Sequence, residues 1–129
     1  MSLESSLFTF ITGDPAIGAL IVSRMYPGKL PQTPVLPAIT YNRISSGQEY
    51  ELEGEEIDVR PARFDVNCWG EGYEDVVTLG AAVRARVSGY HGAMGADTVQ
   101  AILVEDERDG YEPETELWRR IIDCVIWYE

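Results

Sequence analysis

The sequence predicts an α+β fold, in which a mainly antiparallel sheet carries its helices on one face. The predicted elements follow the order α-βββ-α-ββ, and strands that occur in runs are typical of this class. Residues 62–68 alternate between apolar and polar side chains, which indicates a strand with one wet face. Residues 71–88 carry apolar side chains at spacings of three and four, which indicates an amphipathic helix. At 129 residues, the chain predicts a single domain over residues 1–129.

The N-terminal segment predicts two short helices. Ser2 is a favourable N-cap, and the apolar residues after it predict a first helix over residues 2–11. Gly13 is expected to end this helix. Asp14 and Pro15 then restart one, because Asp is a good N-cap and Pro suits the first helical position. The two pieces could also be one broken helix.

Residues 26–37 are not helical, because they contain four prolines. Each proline fixes its own φ and biases the residue before it towards extended backbone. Two interpretations stay open, an extended arm that packs on a neighbouring subunit and a surface loop. The prolines are Pro27, Pro31, Pro34 and Pro37.

Three strands are predicted next, over residues 38–44, 48–53 and 57–69. In the third strand one face is apolar and the other is polar. The apolar face consists of Ala62, Phe64, Val66 and Cys68, and the polar face of Arg63, Asp65 and Asn67. The helix over residues 71–88 follows, with acidic residues near its start and arginines near its end, as the helix dipole favours.

The C-terminal part predicts a flexible loop over residues 90–96 and two strands over residues 99–104 and 117–128. The last strand has apolar residues on both faces, which indicates a strand covered on both sides. The two strands are expected to pair antiparallel, with residues 105–116 as their long connection.

This predicted connection is unusually acidic. Asp109 and Gly110 supply turn chemistry, and Pro113 stiffens the segment after them. An active site, a metal loop and a solvated turn are all possible at first sight. Its carboxylates are Glu105, Asp106, Glu107, Asp109, Glu112, Glu114 and Glu116.

The whole chain is acidic as well, with 22 acidic and 10 basic residues and a formal net charge of −12. Such a surface repels nucleic acid and anionic membranes, because binding to phosphates depends on Lys and Arg. Solubility alone is the other explanation of this charge.

Neither a catalytic residue, nor a cofactor site, nor a metal site is predicted. The single histidine, His91, would need a nucleophile and an orienting carboxylate beside it to act as a general base, and the chain has no Ser-centred elbow motif and neither cysteine near His91 in sequence. The acidic connection does not have the ligand spacing of an EF-hand. Cys68 and Cys124 fit neither a disulfide framework nor a zinc site, and both are expected to be buried thiols. The N-terminus has no basic region typical of a signal peptide, so a cytosolic, reduced protein is expected.

Four stretches together resemble a known family. They are SLESSLFTFITGDPAIGALI, RMYPGKLPQTPVLPAITYNRIS, ARFDVNCWGEGYEDVVTLGAAVRA and LVEDERDGYEPETELWRRIIDCVIWY. In their order and spacing they look like the tail-completion family of long-tailed phages and prophages, which is related to tail-terminator and head–tail joining proteins. The resemblance spans nearly the whole chain.

The resemblance implies a structural role in the virion, with assembly in the host bacterial cytoplasm. Such proteins are similar to small α+β subunits that close into a homo-oligomeric ring, typically hexameric, at the end of the tail tube. The implied partners are other copies of the chain, the tail-tube protein and the head connector. DNA is expected to pass through such a ring without specific binding, and neither a cofactor nor a membrane is expected to take part.

An acidic subunit suits a channel through which DNA slides, because carboxylates repel the phosphates. We therefore expect either the segment 48–56 or the acidic connection to face the channel or a neighbouring subunit. Trp69 and Trp127 are further interface candidates, and core packing is the alternative for both. The predicted interface or channel residues are Glu53, Glu55, Glu56, Glu105, Asp106, Glu107, Asp109, Tyr111 and Trp127.

Two other functions compete with the ring subunit. One is a small cytosolic α+β binding module that self-associates through a sheet edge. The other is a small hydrolase that uses the acidic connection and a metal ion.

Overall fold

The computed structural model describes residues 2–46 and 59–129, and these form the predicted α+β fold. Three helices pack against a six-stranded, mostly antiparallel sheet. The helices are α1 (Leu3–Thr12), α2 (Pro15–Ile21) and α3 (Tyr73–Val87). The strands are β1 (Met25–Pro27), β2 (Ala38–Ser46), β3 (Arg60–Gly70), β4 (Gly92–Met94), β5 (Asp97–Glu112) and β6 (Leu117–Tyr128). The predicted strand over residues 48–53 lies outside the described residues.

The sheet has the order β1-β2-β3-β6-β5-β4. Among the strands of residues 2–46 and 59–129, β1 joins β2 in parallel, and the other pairs are antiparallel. The centre of the sheet is the pair β3 and β6, which stays in register from Arg60 opposite Tyr128 to Gly70 opposite Trp118. The predicted antiparallel pairing of the last two long strands is confirmed.

The predicted N-caps of the first two helices are confirmed, and α3 begins at Tyr73, two residues after its predicted start. The Ser2 hydroxyl accepts the Ser5 N–H at 3.1 Å, and the Asp14 carboxylate accepts the Ile17 N–H at 3.2 Å. Each side chain thereby satisfies one of the backbone donors that a helix N-terminus leaves open. Gly13 follows the last residue of α1 as its C-cap, so the N-terminus forms two helices with a break between them.

The helices cover one face of the sheet, which we call the helix face. Its apolar side chains and those of the helices form one buried core, which includes the predicted apolar face of β3. The opposite face, the open face, carries no helix among the described residues. Buried residues on the helix face include Phe64, Val66, Ile102, Ile122 and Ile126.

The closing strand β6 is apolar on both faces, as predicted. Ile122 and Ile126 lie in the core, whereas Ile121 and Val125 point to the open face and are buried there as well. Trp69, on the open face of β3, is also buried, and its indole N–H donates to the Thr40 hydroxyl at 2.9 Å. Core-like packing is therefore the correct interpretation for Trp69.

One prediction about loops is corrected. Residues 90–96 do not form only a flexible loop, because they contain the short strand β4, which pairs with the start of β5. The proline-rich segment is not helical, as predicted, and its first two residues belong to β1 (Met25–Pro27), which pairs with β2 through Met25 and Ile39. Strand pairing offers these backbone groups hydrogen-bond partners that the local sequence does not reveal.

No helix within residues 2–46 and 59–129 has both the length and the apolar character needed to span a membrane.

Candidate interaction surface

The predicted acidic connection is mostly a strand. β5 continues through Glu112 and pairs with β6 along its whole length, so the turn lies at residues 113–116 and not at Asp109 and Gly110. Asp, Glu and Gly are poor strand formers, and their local preference predicts a turn. Pairing with β6 overrides that preference, because it satisfies the backbone and brings arginines beside the carboxylates.

The pleat of β5 divides its acidic side chains between the two faces of the sheet. Glu107, Asp109 and Tyr111 pair with helix-face residues of β6 and lie on the helix face. Asp106 pairs with Asp123 on the open face, after a register shift between Val104 and Asp106. The acidic residues from Glu105 to Asp109 are therefore divided between two separate charged clusters, one on each face.

The cluster on the helix face centres on Arg120. Its Nε donates to Asp109 Oδ1 at 2.7 Å and its Nη2 to Asp109 Oδ2 at 3.2 Å. Its Nη1 lies 3.3 Å from Glu107 Oε1, and Arg84 Nη1 donates to the other oxygen of Glu107 at 2.9 Å. The Tyr73 hydroxyl also donates to Asp109, at 2.7 Å. The cluster thus ties α3 to β5 and β6.

These contacts shift the ionisation of the groups involved. The hydrogen bonds from Arg120 hold the pKa of Asp109 below its ordinary value, against the smaller opposing effect of partial burial. The hydrogen bond to the Asp109 carboxylate raises the pKa of Tyr73 and, above all, that of Arg120. At neutral pH, Asp109 is therefore ionised and paired, and it is no candidate for a proton-transferring acid.

Gly80 makes the position of Arg120 possible. A Cβ at residue 80 would lie 2.5 Å from Arg120 Cδ, so the arginine chain passes directly over the bare backbone of α3. Glycine costs an α-helix about 1 kcal/mol relative to alanine. The close approach of Arg120 explains why a glycine is accommodated in the middle of α3.

An aromatic group lies beside this cluster. The Trp118 ring is 5.0 Å from the Tyr73 ring and 4.9 Å from the Tyr111 ring, measured between centroids. Tyr73 and Tyr111 remain 42% and 46% exposed. Exposed aromatic side chains of this kind are enriched at protein interfaces.

The cluster on the open face is a row of three aspartates. Asp65 on β3, Asp123 on β6 and Asp106 on β5 are direct neighbours in the sheet. Arg108 Nη1 donates to Asp123 at 2.5 Å and to Asp106 at 2.9 Å, which neutralises part of the row. Asp65 Oδ1 and Asp123 Oδ1 are buried and have no hydrogen-bond partner among the described residues. Arg63 pairs with Glu105 beside the row.

A cleft of about 680 Å³ lies at one end of the open face. The proline-rich loop forms one of its walls, and Trp69, Leu117 and Arg119 form another. The proline-rich loop therefore lies beside the open face of its own chain at this point. Lys29, Arg119, Glu71 and Glu112 give the cleft both signs of charge.

The two cysteines are buried, and the single histidine is exposed. Burial raises the pKa of the Cys68 and Cys124 thiols to about 12 each, so neither is a nucleophile at neutral pH. His91 is exposed on the segment before β4. Among the described residues, no group of three or more His, Cys, Asp or Glu side chains is placed to hold a metal ion.

Of the predicted interface residues, Glu107, Asp109 and Tyr111 come together on the helix face, and Glu105 and Asp106 on the open face. Trp127 is half-buried and lies opposite Ala101 and Pro61 on the open face. The remaining three predicted residues lie outside the described part of the chain. They are Glu53, Glu55 and Glu56.

The sequence reasoning missed Arg120, Arg84, Tyr73 and Gly80, which organise the helix-face cluster. A usable signal was present, because acidic residues at alternate positions, with Arg119 and Arg120 after a short turn, allow cross-strand ion pairs.

No curated protein matches the chain at a significant level. Among solved structures, a chain of the virion of a native gene transfer agent (GTA) particle is similar, with a TM-score of 0.81. The match covers 99% of this chain and 95% of that chain at 12% identity, which shows a shared fold. The model of one protein family, described as "Tail completion protein gp17", matches residues 5–129.

Proposed function

Because the chain belongs to the tail completion protein gp17 family, we propose that it closes into a homo-oligomeric ring at the end of a phage tail tube and joins the tail to the head connector. The family is one of structural phage tail proteins, so the chain is a tail component of a phage-like virion with a tail-completion role. The match over residues 5–129 is the observation that carries the proposal.

The charge of the open face supports a channel that DNA traverses. In the proposed ring, the open face lines the channel, with Glu105, Asp106 and Asp123 directed towards the duplex. Carboxylates there repel the phosphates, so the DNA slides without binding. The helix face is less suitable for this role because α1, α2 and α3 cover it.

Complementation of a deletion tests the main proposal. Phage particles assembled without this chain are expected to show tail tubes of uncontrolled length and heads without tails in electron micrographs. Supplying the wild-type chain from a plasmid should restore tails of one length that are joined to heads. Normal, joined tails in the absence of the chain would overturn the proposal and favour the alternative of a cytosolic binding module.

A charge reversal tests the orientation of the open face. Among assembled particles with joined tails, those that carry Asp106→Lys should deliver DNA about tenfold less efficiently or worse, because each subunit would then attract the phosphates. Glu74→Lys, an equal charge change at an exposed position of α3, is the matched control. Equal DNA delivery by both variants would show that the open face does not line the channel.

A further inference from the structure

The sheet has two incompletely covered edges. On one side, β4 pairs with β5 only as far as Val99, and the backbone of residues 89–90 bonds to Ile102. Along residues 103–112, no strand of the described residues pairs with the outer edge of β5. On the other side, β1 and Gly28 cover β2 as far as Tyr41, and residues 43–46 have no outer strand in the described part. Uncovered strand edges are templates for pairing with another chain.

The uncovered parts of the two edges lie at the same level along the strand direction. Ser45, Arg63, Val125 and Leu103 form one continuous row through β2, β3, β6 and β5. At this level both edge strands carry an exposed aliphatic side chain, Ile44 at 57% and Leu103 at 51% exposure. Both strands also have a register shift there.

The two edges differ in charge. Residues 15–46, which include β1 and β2, contain no acidic residue and three basic ones, Arg24, Lys29 and Arg43. Residues 103–116, at the β5 edge, contain seven acidic residues and one basic residue, Arg108. Several of these groups already pair within the chain, as Arg43 does with Glu4 and Asp109 with Arg120, and the charge difference that is left favours one relative orientation of two copies over the alternatives.

We propose that the occupant of the β5 edge is the β2 edge of a second copy of this chain. β2 and β5 run in opposite directions, so a copy related by rotation about an axis along the strands presents its β2 antiparallel to β5. Ile44 of one copy then meets Leu103 of the next. A contact between two different edges is heterologous, and heterologous contacts close into rings. The inference rests on the proposed ring and names the surfaces that build it.

Two variants, each with one edge blocked, test the inference. Ile44→Glu blocks the β2 edge and Leu103→Arg blocks the β5 edge, both at exposed positions where the fold tolerates charge. Val35→Glu and Val35→Arg are the matched controls, because Val35 is 62% exposed and lies on neither edge. The size of the purified full chains is measured by sedimentation velocity over a concentration series up to about 1 mM, where even weak pairing is populated.

The wild-type chain and both controls are expected to self-associate beyond a dimer. Each edge variant alone should be monomeric, with the association constant reduced about tenfold or more. An equimolar mixture of Ile44→Glu and Leu103→Arg should associate again, mainly through the one intact edge on each chain and more weakly through the two substituted edges, whose introduced charges are opposite. Association in the mixture also shows that both variants are folded. The double variant I44E/L103R places opposite charges across the junction and should recover part of the association.

Two results would overturn the inference. A wild-type chain that is monomeric at about 1 mM would exclude pairing through these edges. Larger wild-type assemblies that survive both single substitutions would show that another surface builds them. Neither result changes the outcome of the complementation experiment. The proposed joining of heads to tails is therefore tested independently of the edge pairing.

Discussion

On the helix face, β3 and β6 place Phe64 and Ile122 fully inside the core, whereas on the open face the same strands set Asp65 directly opposite Asp123. Dry packing stabilises the first arrangement, since burial of a large apolar side chain contributes about 1.5–3 kcal/mol. The second brings two like charges together, and each has a buried oxygen without a partner among the described residues. At these positions the helix face contributes to the stability of the fold, and the open face carries charge that the packing of the core does not require.

The largest expected effect on stability comes from truncating a core side chain on the helix face. Phe64→Ala removes a fully buried ring at the centre of the core and should lower the free energy of unfolding by about 3–5 kcal/mol. Urea denaturation followed by circular dichroism measures the change. Val35→Ala, at a 62% exposed position, is the control and should stay within about 0.5 kcal/mol of wild type. Equal losses for both would contradict the assignment of the core.

Gly80→Ala tests the contact between α3 and Arg120. The added methyl group would lie 2.5 Å from Arg120 Cδ, so the arginine must move away from Asp109 and Glu107. The strain should exceed the gain in helix propensity and cost about 1–2 kcal/mol of stability in thermal denaturation. In an Arg120→Ala background the long arginine side chain no longer contacts residue 80. The same Gly80→Ala substitution should then raise the stability of the fold by up to about 1 kcal/mol. A stabilising effect in both backgrounds would show that Arg120 adapts freely.

Asp109→Asn weakens the helix-face cluster in a pH-dependent way. The folded-state pKa of Asp109 is below its ordinary value of 3.8, so its ionised form stabilises the fold above that pH. At pH 7 the variant should be less stable than wild type by about 1 kcal/mol, the scale of a partly exposed charged hydrogen bond. The difference should close as the pH falls below 3.8 and through the lower folded-state pKa. Urea titrations from pH 7 to pH 3 measure it.

Glu114→Gln serves as the control for that experiment, because Glu114 is exposed in the turn between β5 and β6. It should follow the wild-type curve at every pH. A gap between Asp109→Asn and wild type that persists unchanged at low pH would show that the effect does not depend on the charge of Asp109.

The smallest expected effect is on the open face, and it has the opposite sign. Asp65→Asn removes one of two opposed like charges and offers an N–H to Asp123, so it should raise the free energy of unfolding by about 0.5–1 kcal/mol at neutral pH. High salt should reduce the gain, because repulsion between accessible charges is screened. Glu71→Gln, at an exposed position outside the row, is the matched control. Destabilisation by Asp65→Asn would show that the aspartate row is held by favourable contacts.

The accuracy of the sequence-based predictions differs between the two strands of the C-terminal hairpin. β6 was predicted with its bounds and with both apolar faces, because its own side chains define the pattern. In β5, the prediction ended at residue 104, since Asp109 and Gly110 favour a turn when considered alone. The ion pairs with Arg120 and Arg108 that support the rest of β5 join positions that local periodicity does not connect. The sequence therefore predicted which acidic residues belong to the candidate surface, but it did not predict how the strands distribute them between the two faces.

By itself, the sequence determined the features that act within a few residues. Ser2 and Asp14 cap helices through bonds to backbone three positions away, and the alternation from Ala62 to Cys68 records which face of β3 is buried. Only the tertiary structure decided where the charges of β5 point. Strand pairing assigns each residue to a face, and a single register shift exchanges those faces. The split of the acidic segment into a helix-face cluster and an open-face row follows from that register.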